Sequence, residues 1–138
     1  MKVGLLLDEG AIRPTKAHES DAGFDLYWPK SAYIPAGGAV TIDTGVHMVI
    51  PDGYVGMIKS KSGLNVKYGL QSEGVIDAGY TGTIVVKIFN HSENGYFVNP
   101  GDKIAQLVIL PLPEVELFDL HDLPDTERGA NGFGSTGR

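Results

Sequence analysis

The stretch Val40-Thr41-Ile42-Asp43-Thr44-Gly45-Val46-His47-Met48-Val49-Ile50 alternates apolar and polar side chains over most of its length, and Pro51-Asp52-Gly53 follows it. A period of two marks a half-buried strand, and a Pro-Asp-Gly turn after it predicts a hairpin with Tyr54–Lys59 running back. The same grammar recurs outward in both directions. Residues 1–7 read as a first strand and 83–90 as another, closed by His91-Ser92-Glu93-Asn94-Gly95. Tyr96–Val98, the turn Asn99-Pro100-Gly101-Asp102 and a strand over 103–110 follow. Leu110-Pro111-Leu112-Pro113 should end pairing, because proline cannot donate to a ladder. Residues 114–120 read as one more edge strand. Only Ser62–Tyr68 has the look of a helix, and a short one. Many short strands with Gly- and Pro-rich turns predict an all-β chain, an antiparallel jelly-roll barrel. The expected organisation is one barrel domain over 1–120 and a linker plus glycine-rich tail over 121–138.

The chain has 138 residues, enough for one real core, a net charge of −6 and no cysteine. An acidic chain is poorly suited to a nucleic-acid polymer or an anionic membrane. Any polyanion it takes should be small and held by a few placed cations and N–H groups. The lack of cysteine removes disulfides, thiol nucleophiles and thiolate metal sites, and is compatible with a reducing cytoplasm. The apolar run at 1–7 is too short for a signal peptide or a membrane span.

Five segments carry candidate chemistry. Lys59-Ser60-Lys61-Ser62-Gly63-Leu64 places cations and a glycine at a helix start, with Ser62 typed as the N-cap; this suits a phosphate cradle or a plain capped helix. Gly74-Val75-Ile76-Asp77-Ala78-Gly79-Tyr80-Thr81-Gly82 centres an acid in a strand-turn-strand. Asp77 could orient and deprotonate a water there, or simply serve the turn. In Asp21-Ala22-Gly23-Phe24-Asp25-Leu26, Asp25 could face the water shell of magnesium, which takes few protein ligands, while Asp21 bonds backbone. Gln106, within Ile104-Ala105-Gln106-Leu107-Val108, is expected on the face of Ile104 and Val108, where its amide needs a partner. The tail, Arg128-Gly129-Ala130-Asn131-Gly132-Phe133-Gly134-Ser135-Thr136-Gly137-Arg138, joins backbone freedom to a cation, an aromatic ring and two hydroxyls. It reads as a lid over a nucleotide or as a disordered terminus. Trp28 is expected in the core, and the four histidines show no metal-ligand spacing.

The segments 21–26, 61–64, 74–82, 101–107 and 128–137, taken in order, resemble the five motifs of the trimeric dUTP diphosphatases. The resemblance spans nearly the whole chain, and its third and fifth motifs are the most specific. It implies a jelly-roll subunit, a homotrimer with three shared active sites, and hydrolysis of dUTP to dUMP and diphosphate with Mg2+. It implies that Asp77 holds the attacking water, and that Tyr80 stacks under the deoxyribose and excludes a 2′-OH. The turn bearing Gly74 and Ile76 would read uracil through its backbone, aided by Gln71. Lys61, Ser62, Gly63 and Gln106 would contact phosphates, and Asp25 would reach magnesium through water. From another subunit's tail, Arg128 would bind the γ-phosphate, Phe133 would cover the base, Ser135 and Thr136 would add phosphate contacts, and Gly134 would also touch the substrate. A cytoplasmic enzyme is implied, in the host cytoplasm if the source is viral.

The chain departs from the family's pattern at several of these places. Lys61 and Lys103 stand for arginines, Gln71 for asparagine, Gly79 for a common aspartate and Asn131 for glycine. The fold is shared with dCTP deaminase, whose general acid/base is a glutamate where this chain has Lys87; deamination is therefore not expected. A dUTP-responsive regulatory binding protein is the remaining alternative.

Overall fold

The computed structural model describes residues 1–134 and 136–137; Ser135 and Arg138 lie outside them. Among the described residues there are ten strands and one helix: β1 (Gly4–Leu7), β2 (Gly23–Trp28), β3 (Ala32–Ile34), β4 (Ala39–Asp43), β5 (Val46–Val49), β6 (Tyr54–Lys59), α1 (Ser62–Tyr68), β7 (Leu70–Ile76), β8 (Val85–Asn90), β9 (Tyr96–Val98) and β10 (Asp102–Pro111). Six strands form one antiparallel sheet in the order β2-β10-β6-β7-β8-β4, and β1-β5 and β3-β9 make two short ribbons. The sheet curls into a jelly-roll half-barrel around Leu26, Ile42, Ile58, Ile84, Val86 and Leu107, all essentially sealed from water. None of the helices described is long and apolar enough to cross a membrane.

The opening stretch is two strands, not one. β4 pairs with β8, and β5 leaves that sheet to pair with β1. The break lies at Thr44-Gly45, where Gly45 takes φ 65°. There the Thr44 hydroxyl donates to the Ile84 carbonyl at 2.7 Å, and the Val46 N–H donates back to that hydroxyl at 3.3 Å. A left-handed glycine and a buried threonine thus hand the chain from one sheet to another. The Pro51-Asp52-Gly53 turn does form, with the Tyr54 N–H donating to the Pro51 carbonyl at 3.2 Å. It does not close the expected hairpin, because both edges of β6 are already taken by β7 and β10.

Two further expectations are corrected. Residues 114–120 form no strand; the ladder stops at Pro111, and Val115, Leu117 and Phe118 stand exposed. Gln106 does not share a face with Ile104. A register shift between Lys103 and Ala105 turns Ile104 and Ala105 both inward, leaving Gln106 on the opposite side. Trp28 packs partly against the core as expected, with its indole N–H buried and without a partner among the described residues.

Candidate active site

The helix α1 follows directly on the edge of β6, and it opens on Lys61. Lys61, not Ser62, is the N-cap residue: the Asn65 N–H closes on the Lys61 carbonyl at 2.9 Å, and no side chain caps the turn. Ser62 therefore sits inside the helix with its hydroxyl unspent on capping. The first-turn N–H groups have no intrahelical acceptor, and the first turn itself contains no acidic residue. A Cβ built on Gly63 would meet nothing within 4 Å, so the space over this turn is open. Gly69, at φ 67°, ends the helix in the left-handed conformation that glycine favours.

Beside this turn lies a buried charge. Asp25 on β2 is 4% exposed. One of its oxygens is hydrogen-bonded by the Lys61 ammonium, and the other lies 2.9 Å from Lys103 Nζ. Burial pushes its carboxyl upward, but the two lysine hydrogen bonds and charges outweigh that and hold it below the usual aspartate range. Lys103 is correspondingly raised by Asp25. Gln106, opposite both Asp25 and Lys59, donates its amide to the Ser60 carbonyl at 3.0 Å. A Cβ on Gly23 would come within 2.9 Å of the Gln106 amide oxygen, so glycine there makes room for it. Lys61, Gly63, Lys67 and Lys103 line one shallow cleft of about 310 Å³. Lys67 is a cation the sequence reading passed over; its position in the last turn of α1, one helix away from Lys61, was the available signal.

Asp77 and Tyr80 lie elsewhere. They line a second cleft of about 210 Å³ with Val75, Ile76, Thr83 and Val85. Asp77 and Tyr80 close a turn through a 3.2 Å bond from the Tyr80 N–H to the Asp77 carbonyl, with Gly79 at φ 83°. The Tyr80 hydroxyl donates to the Thr83 carbonyl at 3.0 Å, and its ring lies over Gly82, where a Cβ would sit 2.3 Å from that hydroxyl. Gly82 is thus a second residue the sequence reading did not single out. Gly74 and Ile76 pair with Ile58 and Gly56 of β6, but the register with β8 runs only from Leu70 to Ser72. The hairpin is therefore open above Ser72, and the β8 side of the 74–76 backbone borders the cleft. Gln71 lies just below the opening and receives a 2.8 Å hydrogen bond from His91 Nε2. On the other side of β8, Lys87 pairs with Thr41 of β4 and is exposed, with its ammonium over the Phe89 ring.

The tail joins neither cleft. Arg128 Nε donates to the Asn131 carbonyl at 2.9 Å, the Gly129 N–H to the Thr126 hydroxyl at 2.9 Å, and Phe133 is fully exposed. Among the described residues, the hydrogen bonds of 126–137 stay within the tail. Thr136 and Arg128 face a tail cleft of their own, and the Ser135 expectation falls outside the described residues. One chain thus carries a phosphate-type cleft, a cleft with an acid and a tyrosine, and a separate furnished tail. An apolar groove elsewhere, between Val3, Leu5, Phe24 and Met48, contains none of these residues.

Among the described residues no three His, Cys, Asp or Glu side chains cluster for a metal. Both oxygens of the single buried carboxylate, Asp25, are already bonded by ammonium groups, so the described residues form no protein cage for a metal, and Asp25 could reach a magnesium ion only through its water shell.

A jelly-roll chain with a cationic cleft and an acid-tyrosine cleft has the residue types that could hold a nucleoside triphosphate and activate a water. The dUTPase family profile matches residues 9–137. A deoxyuridine 5′-triphosphate nucleotidohydrolase of Yarrowia lipolytica is 45% identical over 134 residues, covering 95% of this chain and 85% of the relative. One from Clostridium acetobutylicum is 39% identical, covering 95% and 92%. The dUTPase of Staphylococcus bacteriophage 80alpha, solved with dUPNHPP, superposes with TM-score 0.91 at 30% identity over 99% of both chains. A phage phi11 dUTPase, solved to show coordination of a structural Mg(II) ion, superposes with TM-score 0.82 at 30% identity over 91% of this chain and 100% of that one. The chain belongs to the dUTPase family.

Proposed function

We propose that the protein hydrolyses dUTP to dUMP and diphosphate, and that Asp77 carries the reaction. The single observation behind this is the turn that presents an exposed Asp77 beside the Tyr80 ring at the mouth of an opened hairpin. Uracil is read by the unpaired β8-side backbone of 74–76, with Gln71 at its edge; hydrogen-bonding groups already fixed in a strand cost little further ordering. Tyr80, pinned by its bond to Thr83 and laid on Gly82, forms the wall under the deoxyribose and clashes with a 2′-OH. Asp77 orients a water and takes its proton as the oxygen bonds to the α-phosphorus. The bond from that phosphorus to the bridging oxygen breaks, and diphosphate leaves.

Lys61, Ser62, Gly63, Gln106 and Lys103 hold the phosphates, with Lys67 at the outer rim. Asp25 would hold a magnesium ion through one of its waters, and the ion when bound would supply charge neutralisation to the diphosphate leaving group. The lysines that now neutralise Asp25 are then free to turn to phosphate oxygens.

Within one chain the two clefts and the tail are separate, and this supports a homotrimer in which copies complete one another's sites. The exposed apolar side chains of Val115, Leu117, Phe118, Leu120 and Leu123 also support assembly. Arg128 of one copy would then reach the γ-phosphate of another's substrate, while Phe133, Gly134, Ser135 and Thr136 close over it. The lack of cysteine fits a reducing compartment such as the cytoplasm. The partner chemistry is a small nucleotide, with no nucleic-acid polymer and no membrane.

Diphosphate release measured in parallel with dUTP, UTP, dTTP and dCTP, with and without magnesium, tests the reading. Selective, magnesium-dependent release from dUTP is expected. Equal release from UTP, or ammonia from dCTP, would overturn it. A regulatory reading is favoured by likeness to the phage 80alpha dUTPase, described as controlling transfer of virulence genes by a G protein-like mechanism. A pull-down comparing nucleotide-bound and nucleotide-free protein tests that role: a partner retained in one state alone supports it, and the same proteins in both oppose it.

A further inference from the structure

His47 lies on β5 opposite Leu6 of β1, and its ring reaches two other elements at once. Nε2 is 2.9 Å from a carboxylate oxygen of Asp8, just after β1. Nδ1 is 2.8 Å from the carbonyl oxygen of Thr81, in the loop that carries Asp77 and Tyr80. Both partners are acceptors only. A neutral imidazole has one N–H and satisfies one of them; an imidazolium satisfies both.

The loop between Ile76 and Ile84 has few other ties. The Tyr80 N–H to Asp77 and Tyr80 hydroxyl to Thr83 bonds are internal to it. Its far end is anchored where the Ile84 N–H donates to the Val46 carbonyl at 2.8 Å. Among the described residues, the His47–Thr81 contact is the hydrogen bond that joins 77–83 to the body of the barrel. We propose that His47 is a positioning residue: as an imidazolium it staples the Asp77–Tyr80 loop to Asp8 and so fixes the nucleoside half of the site. This rests on the reading of that cleft given above.

The charged groups facing the ring are Asp8 and, at greater range, Asp43 at the end of β4; both are acids. The Thr81 carbonyl and Asp8 raise the imidazole's pKa above its ordinary value, against a smaller opposing effect of burial. The charged form is therefore favoured in the fold, and the double contact is complete at low pH. As pH rises through the raised pKa, the ring must give up one acceptor. Losing Thr81 frees the loop directly; losing Asp8 leaves the ring itself unheld.

Two readouts test this, one of them independent of turnover. In the intact protein, the KM for dUTP should rise by about fivefold between pH 6 and 9, the scale of one charge-assisted hydrogen bond partly exposed to water. In His47→Gln, KM should already be high at pH 6 and vary little with pH. Amide hydrogen exchange of residues 77–83, corrected for its intrinsic pH dependence, should be faster in the variant than in the wild type at pH 6. Asp8→Asn, a milder change outside the core, should weaken the same protection and flatten the same KM profile. Wild-type exchange and an unchanged KM profile in both variants would overturn the inference. Failure of the wild type to hydrolyse dUTP would instead overturn the proposed function, and loop exchange would still decide the role of His47.

Discussion

Asp25→Asn removes the one negative charge from a cluster that holds two lysines, and the structure sets the size of the effect. Deleting one member of a fully buried pair costs about 3–5 kcal/mol, because the other is stranded. Here Asp25 is sealed, but the side chains of Lys61 and Lys103 are 29% and 45% exposed. Both ammonium groups can turn into water, so the stranding penalty falls away and screening discounts the Lys103 contact further. What remains is the loss of two charge-assisted hydrogen bonds against a relieved desolvation cost, a net destabilisation of about 2 kcal/mol. For a chain of this size that lowers Tm by roughly 6 °C. The pH dependence has a definite sign. Asp25 titrates below its unfolded value in the fold, so its contribution is complete above the unfolded carboxylate pKa. It is lost as pH falls through the lowered folded pKa. Thermal melts of wild type and variant in magnesium-free buffer should differ by the full amount at neutral pH and converge in strong acid, once the lowered folded pKa of Asp25 has been passed. An equal Tm at neutral pH, or a gap that persists unchanged in strong acid, would refute the reasoning.

Three other outcomes follow from the site. Asp77→Asn should lower kcat by at least about a hundredfold, the scale of a lost general base, while dUTP binding measured by calorimetry stays within a few-fold of wild type; substantial turnover would move the base elsewhere. Gly82→Ala places a Cβ against the Tyr80 ring, and the displaced wall should raise KM for dUTP and narrow the dUTP-over-UTP preference; unchanged selectivity would show that Tyr80 is not the wall. Truncation before Arg128 should reduce kcat/KM sharply without changing far-UV circular dichroism, since the tail's hydrogen bonds lie within itself; normal kinetics would remove the tail from the mechanism.

Much of the fold was legible where local chemistry and tertiary context agree. Tyr54–Lys59, Ser62–Tyr68 and Tyr96–Val98 appear with the expected bounds because turn residues bracket each one. The misreadings share a cause: pairing partners are non-local. Nothing in the alternation of 40–50 reveals that Thr44 finds Ile84 and sends β5 to β1. The bulge near Ile104 follows from fitting β10 between two neighbours, and is invisible in its own pattern. Residues 114–120 alternate well enough for a strand, but among the described residues none of them enters a ladder, and their apolar side chains at Val115, Leu117 and Phe118 stay exposed. At the site, the types and order of Asp77, Tyr80 and Lys61 were readable. The neutralisation of Asp25 by two lysines was not, because those lysines stand 36 and 78 positions away in the chain.

The claim on which the mechanism depends is that separate parts of neighbouring copies make one working site. Co-expression of Asp77→Asn chains with chains truncated before Arg128 tests it, because each is expected to be impaired alone for a different reason. Random mixed trimers should recover about a quarter of wild-type activity, since a site needs an intact Asp77 from one chain and an intact tail from another. Mixed assemblies no more active than the separate variants would contradict the claim and place Asp77 and its tail within a single chain.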